Sequence, residues 1–294
     1  MTRRAGRQRS TAARTSALLA ILLGLSAGCG SEGGSGSPSS GQPPSASAAA
    51  TPTDDANTLR LLALGDSIPF NSPDDCPRCT GFVTQYADAL SKAAGQPVEP
   101  NNLSDHTGLT LPRLLADLDS FSGELARADA IVVGIAHNSF ELSADAPCGT
   151  TYDEATNTLS DWSKVDEACA TNSAASYRDQ YDELFSTIAQ KRASQPTILI
   201  ALNKYNDWLG WEDAKLTPDQ ERRTVMMHDA WNTMLCDSAE ANGFTCADVY
   251  HAFNGPSGDT PSGDLLAGDY THPSQAGNDR IAQVLEEIGF APLA

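Results

Sequence analysis

The apolar positions along the chain fall into two kinds of run. Five are of strand length: LRLLAL at 59–64, residues 98–103, AIVVGIA at 130–136, TILIAL at 197–202 and FTCADVY at 244–250. They are too short for helices, and most are aliphatic or β-branched, so they predict strands. Between them apolar residues recur at helical spacing. Phe82, Val83, Tyr86 and Leu90 share one face over 82–94, and Tyr177, Tyr181, Leu184, Phe185 and Ile188 do the same over 174–192. A helix over 218–241 has a readable start: Thr217 offers a hydroxyl cap, Pro218 the first helical position and Gln220 the capping-box amide, while Gly243 supplies a stop. A last helix is predicted over 274–288, ending at Gly289. Strand and helix alternating in this way imply an α/β fold, with about five mainly parallel strands covered on both faces. In such sheets ligands sit beyond the carboxyl ends of the strands.

The first 28 residues do not fit that pattern. Arg3, Arg4, Arg7, Arg9 and Arg14 precede an apolar run from Ala17 to Leu25, the order of an export signal and too short to span a bilayer. Leu25-Ser26-Ala27-Gly28-Cys29 resembles the lipobox of bacterial lipoproteins, with the leucine one place further from the cysteine than usual. The expectation is a signal peptide at 1–28, lipidation at Cys29 or plain secretion, and a Gly/Ser/Pro/Ala-rich tether at 29–57 with almost nothing to bury. One folded domain then occupies 58–294, in a monomer exported and tethered by lipid at the outer face of a bacterial cell membrane, or released.

Charge excludes several partners. Those five arginines belong to 19 basic residues, so the rest of the chain sets 14 basic residues against 38 acidic ones, a balance of −24. Nucleic acid and anionic lipid both need positive charge facing phosphate, and neither is expected to bind. The seven cysteines fit an oxidising compartment: with Cys29 set aside, six remain, and sequence neighbours suggest the pairs Cys76–Cys79, Cys148–Cys169 and Cys236–Cys246.

The first predicted strand runs into Gly65-Asp66-Ser67. A serine hydroxyl is a weak nucleophile, so chemistry there needs a base, an acid to orient the base and donors for a developing oxyanion. Of the five histidines, His228 falls mid-helix, His251 follows a strand and remains open, and His106 and His137 are expected near the mouth of the site, where either could be a surface residue. His272 has the best surroundings, because Asp269 three residues earlier could hold one ring nitrogen while the other takes the serine proton. Asp66, adjacent to the serine, reads as a hydrogen-bonding residue that shapes the turn. No His/Cys/Asp spacing suggests a zinc site, and neither metal nor cofactor is expected. Three aromatics, Tyr205, Trp208 and Trp211, follow the fourth strand, where they could line a cleft or pack the loop down; His137, Tyr205 and Trp208 are the candidate substrate contacts.

Four blocks in order, Gly65-Asp66-Ser67, Asn102-Leu103-Ser104 with Gly108, Asn138, and Asp269 with His272, resemble the SGNH (GDSL-type) hydrolase superfamily over essentially all of the chain from Thr58. The resemblance implies a three-layer, flavodoxin-like α/β/α fold and ester hydrolysis. By position it makes Ser67 the nucleophile, His272 the general base and Asp269 the orienting acid. The oxyanion donors become the backbone N–H groups of Ser67 and Gly108 and the side-chain amide of Asn138. The usual Gly-x-Asn-Asp block reads Ala136-His137-Asn138-Ser139, a change expected to alter the pocket wall more than the chemistry. The expected substrate is a small-molecule or polymer ester. Alternatives are a carbohydrate O-deacetylase or acyltransferase acting on envelope polymers, and a catalytically silent, lipid-anchored binding protein.

Overall fold

The computed structural model describes residues 57–139, 148–153, 158–212 and 214–294. The expected signal peptide, Cys29 and the tether up to residue 56 lie outside the described residues. Among those described, no helix is long and apolar enough to cross a membrane.

The first strand, β1 (Leu59–Gly65), shows why the sheet is covered on both sides. Leu61 and Ala63 enter one apolar cluster, Leu62 and Leu64 the other, and all four are buried. A single helical turn, α1 (Ser67–Phe70), follows, and then α2 (Phe82–Ala94) and β2 (Val98–Asn102). The chain continues through α3 (Leu111–Asp117), α4 (Ser122–Arg127), β3 (Ala130–Gly134) and the short antiparallel pair β4 (Tyr152–Asp153) and β5 (Thr158–Leu159). Beyond it come α5 (Glu167–Ala175), α6 (Arg178–Lys191), β6 (Ile198–Leu202), α7 (Pro218–Ala241), β7 (Thr245–Ala247), α8 (Val249–Asn254) and α9 (Gln275–Ile288).

The main sheet has the order β2-β1-β3-β6-β7 and every pairing in it is parallel. Phe82, Tyr86 and Leu90 of α2 pack with Ile281 and Leu285 of α9 on one face. Leu111, Leu125, Tyr181, Phe185 and Trp231 fill the other. Each such fully buried side chain contributes on the order of 1.5–3 kcal/mol. Three layers result, α/β/α, as the resemblance implies.

The capping box of α7 forms as expected, with both Thr217–Gln220 hydrogen bonds present. Two expectations are corrected. The run 244–250 does not stay extended: Asp248 accepts a hydrogen bond from the His251 N–H at 3.2 Å and caps α8, whose Val249, Tyr250 and Phe253 are buried. The helical pattern at 174–192 is interrupted at Ser176 and Tyr177, where the Ser176 hydroxyl donates to the Ser173 carbonyl at 2.7 Å; α6 starts only at Arg178, behind the additional helix α5. The β2–β3 crossover also contains α3 and α4, which lack a long apolar period and are held by Leu111, Leu114 and Leu125. The cysteine pairs are those suggested by sequence proximity: Cys76–Cys79, Cys148–Cys169 and Cys236–Cys246, with Cα separations of 5.5, 4.8 and 5.3 Å.

From β1 the chain crosses to β2 on one side, then returns past β1 to β3 on the other. That reversal opens a crevice at the carboxyl ends of β1 and β3. The segments that follow these two strands and β2 meet there.

Candidate active site

The turn after β1 is built on close approach of two strands. Gly65 pairs with Gly134 of β3, and a Cβ at Gly65, whose φ is +157°, would lie 2.0 Å from the Gly134 carbonyl oxygen. A glycine is therefore obligatory. Asp66 is fully buried and organises the turn on both sides of the crevice. One carboxylate oxygen accepts the Ile68 N–H at 3.0 Å, capping α1; the other accepts the Ala136 and His137 N–H groups, both at 3.1 Å, tying the segment after β3 to the turn. Burial pushes this carboxyl up, opposed by those three N–H groups and the Lys204 charge. Asp66 thus shapes the turn, as the sequence suggests.

Ser67 is the first residue of α1, where helix geometry leaves its N–H without an intrahelical partner. Its Oγ lies 2.9 Å from His272 Nε2, and His272 Nδ1 lies 2.6 Å from Asp269 Oδ2. A carboxylate can only accept, so Nδ1 carries the proton and Nε2 presents its lone pair to the Ser67 hydroxyl. Asp269 Oδ1 accepts the N–H groups of Thr271 and His272, both at 3.1 Å, folding the four residues into the tight turn that aligns acid and imidazole. Those hydrogen bonds have a measurable consequence. Burial would raise the Asp269 carboxyl, but the His272 ring and the two N–H groups outweigh it and lower it to about 2. Burial would depress His272; the Asp269 hydrogen bond and charge, reinforced by Asp75 and Asp66, win and raise it above its usual 6.5.

Asn138 follows β3 and is exposed; its Nδ2 donates to the Leu109 carbonyl at 3.2 Å, which sets the amide beside Gly108 in the loop after β2. Gly108 adopts φ +76°. The departures from the family block have local effects. Ser139 stands where the second acid is usual, and its hydroxyl accepts the Leu111 N–H at 2.7 Å at the start of α3. His137, in the glycine's neighbourhood, lays its ring against Tyr205 at 4.6 Å, with Nε2 buried and unpartnered; burial drives its pKa well down.

Two of the candidate substrate contacts, Tyr205 and Trp208, make packing contacts within the domain. Tyr205 is 1% exposed: it stacks on Phe253 and donates its hydroxyl to the Thr271 carbonyl at 2.5 Å, so it braces the turn that carries His272 rather than walling a cleft. Trp208 packs edge-on against Trp162 at 5.4 Å and near Tyr152, fastening the segment after β3 to the domain. Sequence reasoning also missed Asp75, which follows Pro73 and Asp74 in a polar run with no periodicity. Its Oδ2 lies 2.8 Å from His106 Nε2 and 3.5 Å from His272 Nε2. Asp75, His106 and His272 place one potential ligand atom each within 4.8 Å of one another, a grouping that no spacing in the sequence announces. Only folding brings together positions so far apart in sequence.

Residues 63–280 match the sequence model of the GDSL-like lipase/acylhydrolase family. The chain belongs to this family. It is, as a GDSL hydrolase, an ester-hydrolysing enzyme. Among curated proteins none matches it. Its fold is shared by the lipase Lip_vut3 from a goat rumen metagenome, at 19% identity and a TM-score of 0.62, over 80% of this chain and 100% of that one. It is also shared by a phospholipase A1 from Streptomyces albidoflavus, at 21% identity and a TM-score of 0.52, over 78% and 98%. An acetyl xylan esterase from Geobacillus stearothermophilus aligns at 20% identity and a TM-score of 0.50, over 79% and 95%. At these identities the likeness is one of fold.

Proposed function

We propose that this GDSL hydrolase is an exported carboxylesterase of the lipase type, working through a Ser67-His272-Asp269 triad and an acyl-enzyme. The observation that carries the reading is the continuous path from Asp269 Oδ2 through the His272 ring to Ser67 Oγ, 2.6 and 2.9 Å. Ser67 Oγ attacks the ester carbonyl carbon as its proton passes to His272 Nε2. The tetrahedral oxyanion is held by the N–H groups of Ser67 and Gly108 and by the Asn138 amide. Collapse expels the alcohol, which leaves with the proton from His272. Water then attacks the acyl-serine, gives a proton to His272 and releases the acid, while Ser67 recovers its hydrogen.

Support for an apolar acyl group comes from the wall of the neighbouring cleft. Phe70, in the same helical turn as Ser67, joins Leu103, Leu109, Leu114 and Phe121 around a space of about 420 Å³ whose lining also includes Asn102, Ser104, Asp105 and Asp117. The signal-like first 28 residues, Cys29 and three cysteine pairs support export, with lipid anchoring at Cys29 or secretion as the two forms.

A fluorophosphonate probe should label the protein once, on the peptide that contains Ser67, with loss of p-nitrophenyl ester turnover in proportion; absence of labelling overturns the triad. Replacing Asn138 by alanine removes one oxyanion donor and leaves two. Turnover is expected to fall about 100-fold with KM little changed, because the lost bond forms fully only in the transition state. Steady-state kinetics on a p-nitrophenyl ester measure the split.

A further inference from the structure

Asp75 occupies an unusual place. With the His272 Nδ1 proton committed to Asp269, Nε2 presents a lone pair, and 3.5 Å away a carboxylate oxygen of Asp75 presents another. Both groups have other hydrogen-bond donors, Ser67 for the ring nitrogen and His106 for the carboxylate, yet their facing lone pairs are placed where a cation could bridge them. The adjacent pair differs, since His106 Nε2–H can donate to the same Asp75 oxygen at 2.8 Å.

We propose that Asp75, His106 and His272 bind a divalent transition-metal ion of the zinc type, and that the bound ion inhibits the hydrolase by occupying the nitrogen that serves Ser67. The inhibitory part rests on the reading of His272 as general base; the binding part does not. Zinc–nitrogen and zinc–oxygen bonds of about 2.0–2.2 Å place tetrahedral ligands about 3.3 Å apart. Against that, Asp75 Oδ2 is 3.5 Å from one ring nitrogen and 2.8 Å from the other, and the three ligand atoms fall within 4.8 Å of one another. Closure needs the His106–Asp75 pair to open by about half an ångström and the two ring nitrogens to approach by up to about 1.5 Å, which rotation of the His106 side chain supplies. On binding, the proton between His106 Nε2 and Asp75 leaves to solvent, the ion accepts three lone pairs, and a water completes its shell.

The surroundings have the features of a held site. His272 already donates its other ring N–H to a carboxylate, the outer-shell bond that fixes the tautomer of a metal-bound imidazole. Asp75 sits in a turn pinned by the Asp75 and Cys76 N–H bonds to the Ser72 carbonyl and by the Cys76–Cys79 disulfide. The His106 ring packs against Phe70 at 5.5 Å and against His272 at 5.9 Å. Two imidazoles and one carboxylate favour zinc over magnesium or calcium, which prefer an all-oxygen shell. The excess of acidic residues raises the cation concentration at the surface. His251 with Asp248, by contrast, makes a two-residue pair, so it serves as a control.

The test uses untagged protein. Zinc chloride is titrated into Ser67→Ala protein against a chromogenic chelator, and then into Ser67→Ala/His106→Ala, Ser67→Ala/Asp75→Asn and Ser67→Ala/His251→Ala proteins. One equivalent should bind, at least tenfold more weakly when His106 or Asp75 is changed and unaltered when His251 is. In the parent enzyme, zinc should inhibit p-nitrophenyl ester hydrolysis, with EDTA restoring it and magnesium having no effect, and His106→Ala should need at least tenfold more zinc. Equal zinc affinity with and without His106, or equal inhibition of both enzymes, overturns the proposal. His106-dependent binding in a protein that proves to have no esterase activity would overturn the triad and leave the ion site standing.

Discussion

Ser67→Ala is expected to lower turnover of short p-nitrophenyl esters at least about ten-thousandfold while leaving the fold intact. The hydroxyl makes one hydrogen bond, to His272 Nε2, and has no structural duty in α1, whose cap comes from Asp66 and whose Asn71 N–H bonds to the residue 67 carbonyl in either protein. The alanine retains the backbone N–H, so the proposed oxyanion donors persist, and a small residual rate from direct attack by water is the expected remainder. Thermal unfolding should move by no more than the shift that corresponds to about 1 kcal/mol. Retention of a tenth or more of the turnover would remove Ser67 from the chemistry, and with it the acyl-enzyme.

Asp66→Ala should be the most damaging change to stability near the site. It leaves three N–H groups, those of Ile68, Ala136 and His137, without their acceptor in a place from which solvent is excluded. Each unsatisfied donor costs about 1–3 kcal/mol. Part of this is offset because a buried carboxylate is itself costly to desolvate. The net loss is about 3 kcal/mol, a fall in Tm of about 6–12 °C for a domain of this size. Asp66→Asn keeps one acceptor but turns an amide donor toward either Ile68 or the 136–137 pair, so its Tm should fall between the two. Differential scanning calorimetry measures both; a Tm unchanged by Asp66→Ala would mean that the turn is held by something else. Activity should fall as well, since the same carboxylate aligns Ser67 with the segment bearing Asn138.

Several parts of the molecule were legible in one dimension because their determinants are local. The strand at 59–65 is an aliphatic run of the right length, α7 carries its own cap, proline and stop, and the cysteine pairs are separated by 3, 21 and 10 residues. Asp269 and His272 belong to one turn, so their alignment needs only the four residues that form it. The ends of elements were less legible where two local preferences competed: Asp248 converted a strand-like tail into a helix cap, and Ser176 divided one helical pattern into two helices. Whether Tyr205 and Trp208 line a cleft or pack the loop down was left open by the sequence. An aromatic side chain after a strand packs as well inward as outward, and nothing in the local sequence states which side is covered.

The order of residues was enough to specify the α/β alternation, the placement of a serine at the end of the first strand, and an acid–imidazole pair near the carboxyl terminus. Those features depend on periodicity, capping and turn chemistry, which act over a few residues. It took the folded chain to establish that a hydroxyl and an imidazole 205 positions apart lie 2.9 Å from each other, that Tyr205 supports the His272 turn, and that Asp75 and His106 join the same centre. These depend on the order in which parallel strands pair and on which loops the crossover brings to one edge of the sheet, and that order is fixed by burial of both sheet faces at once, a property of the whole chain.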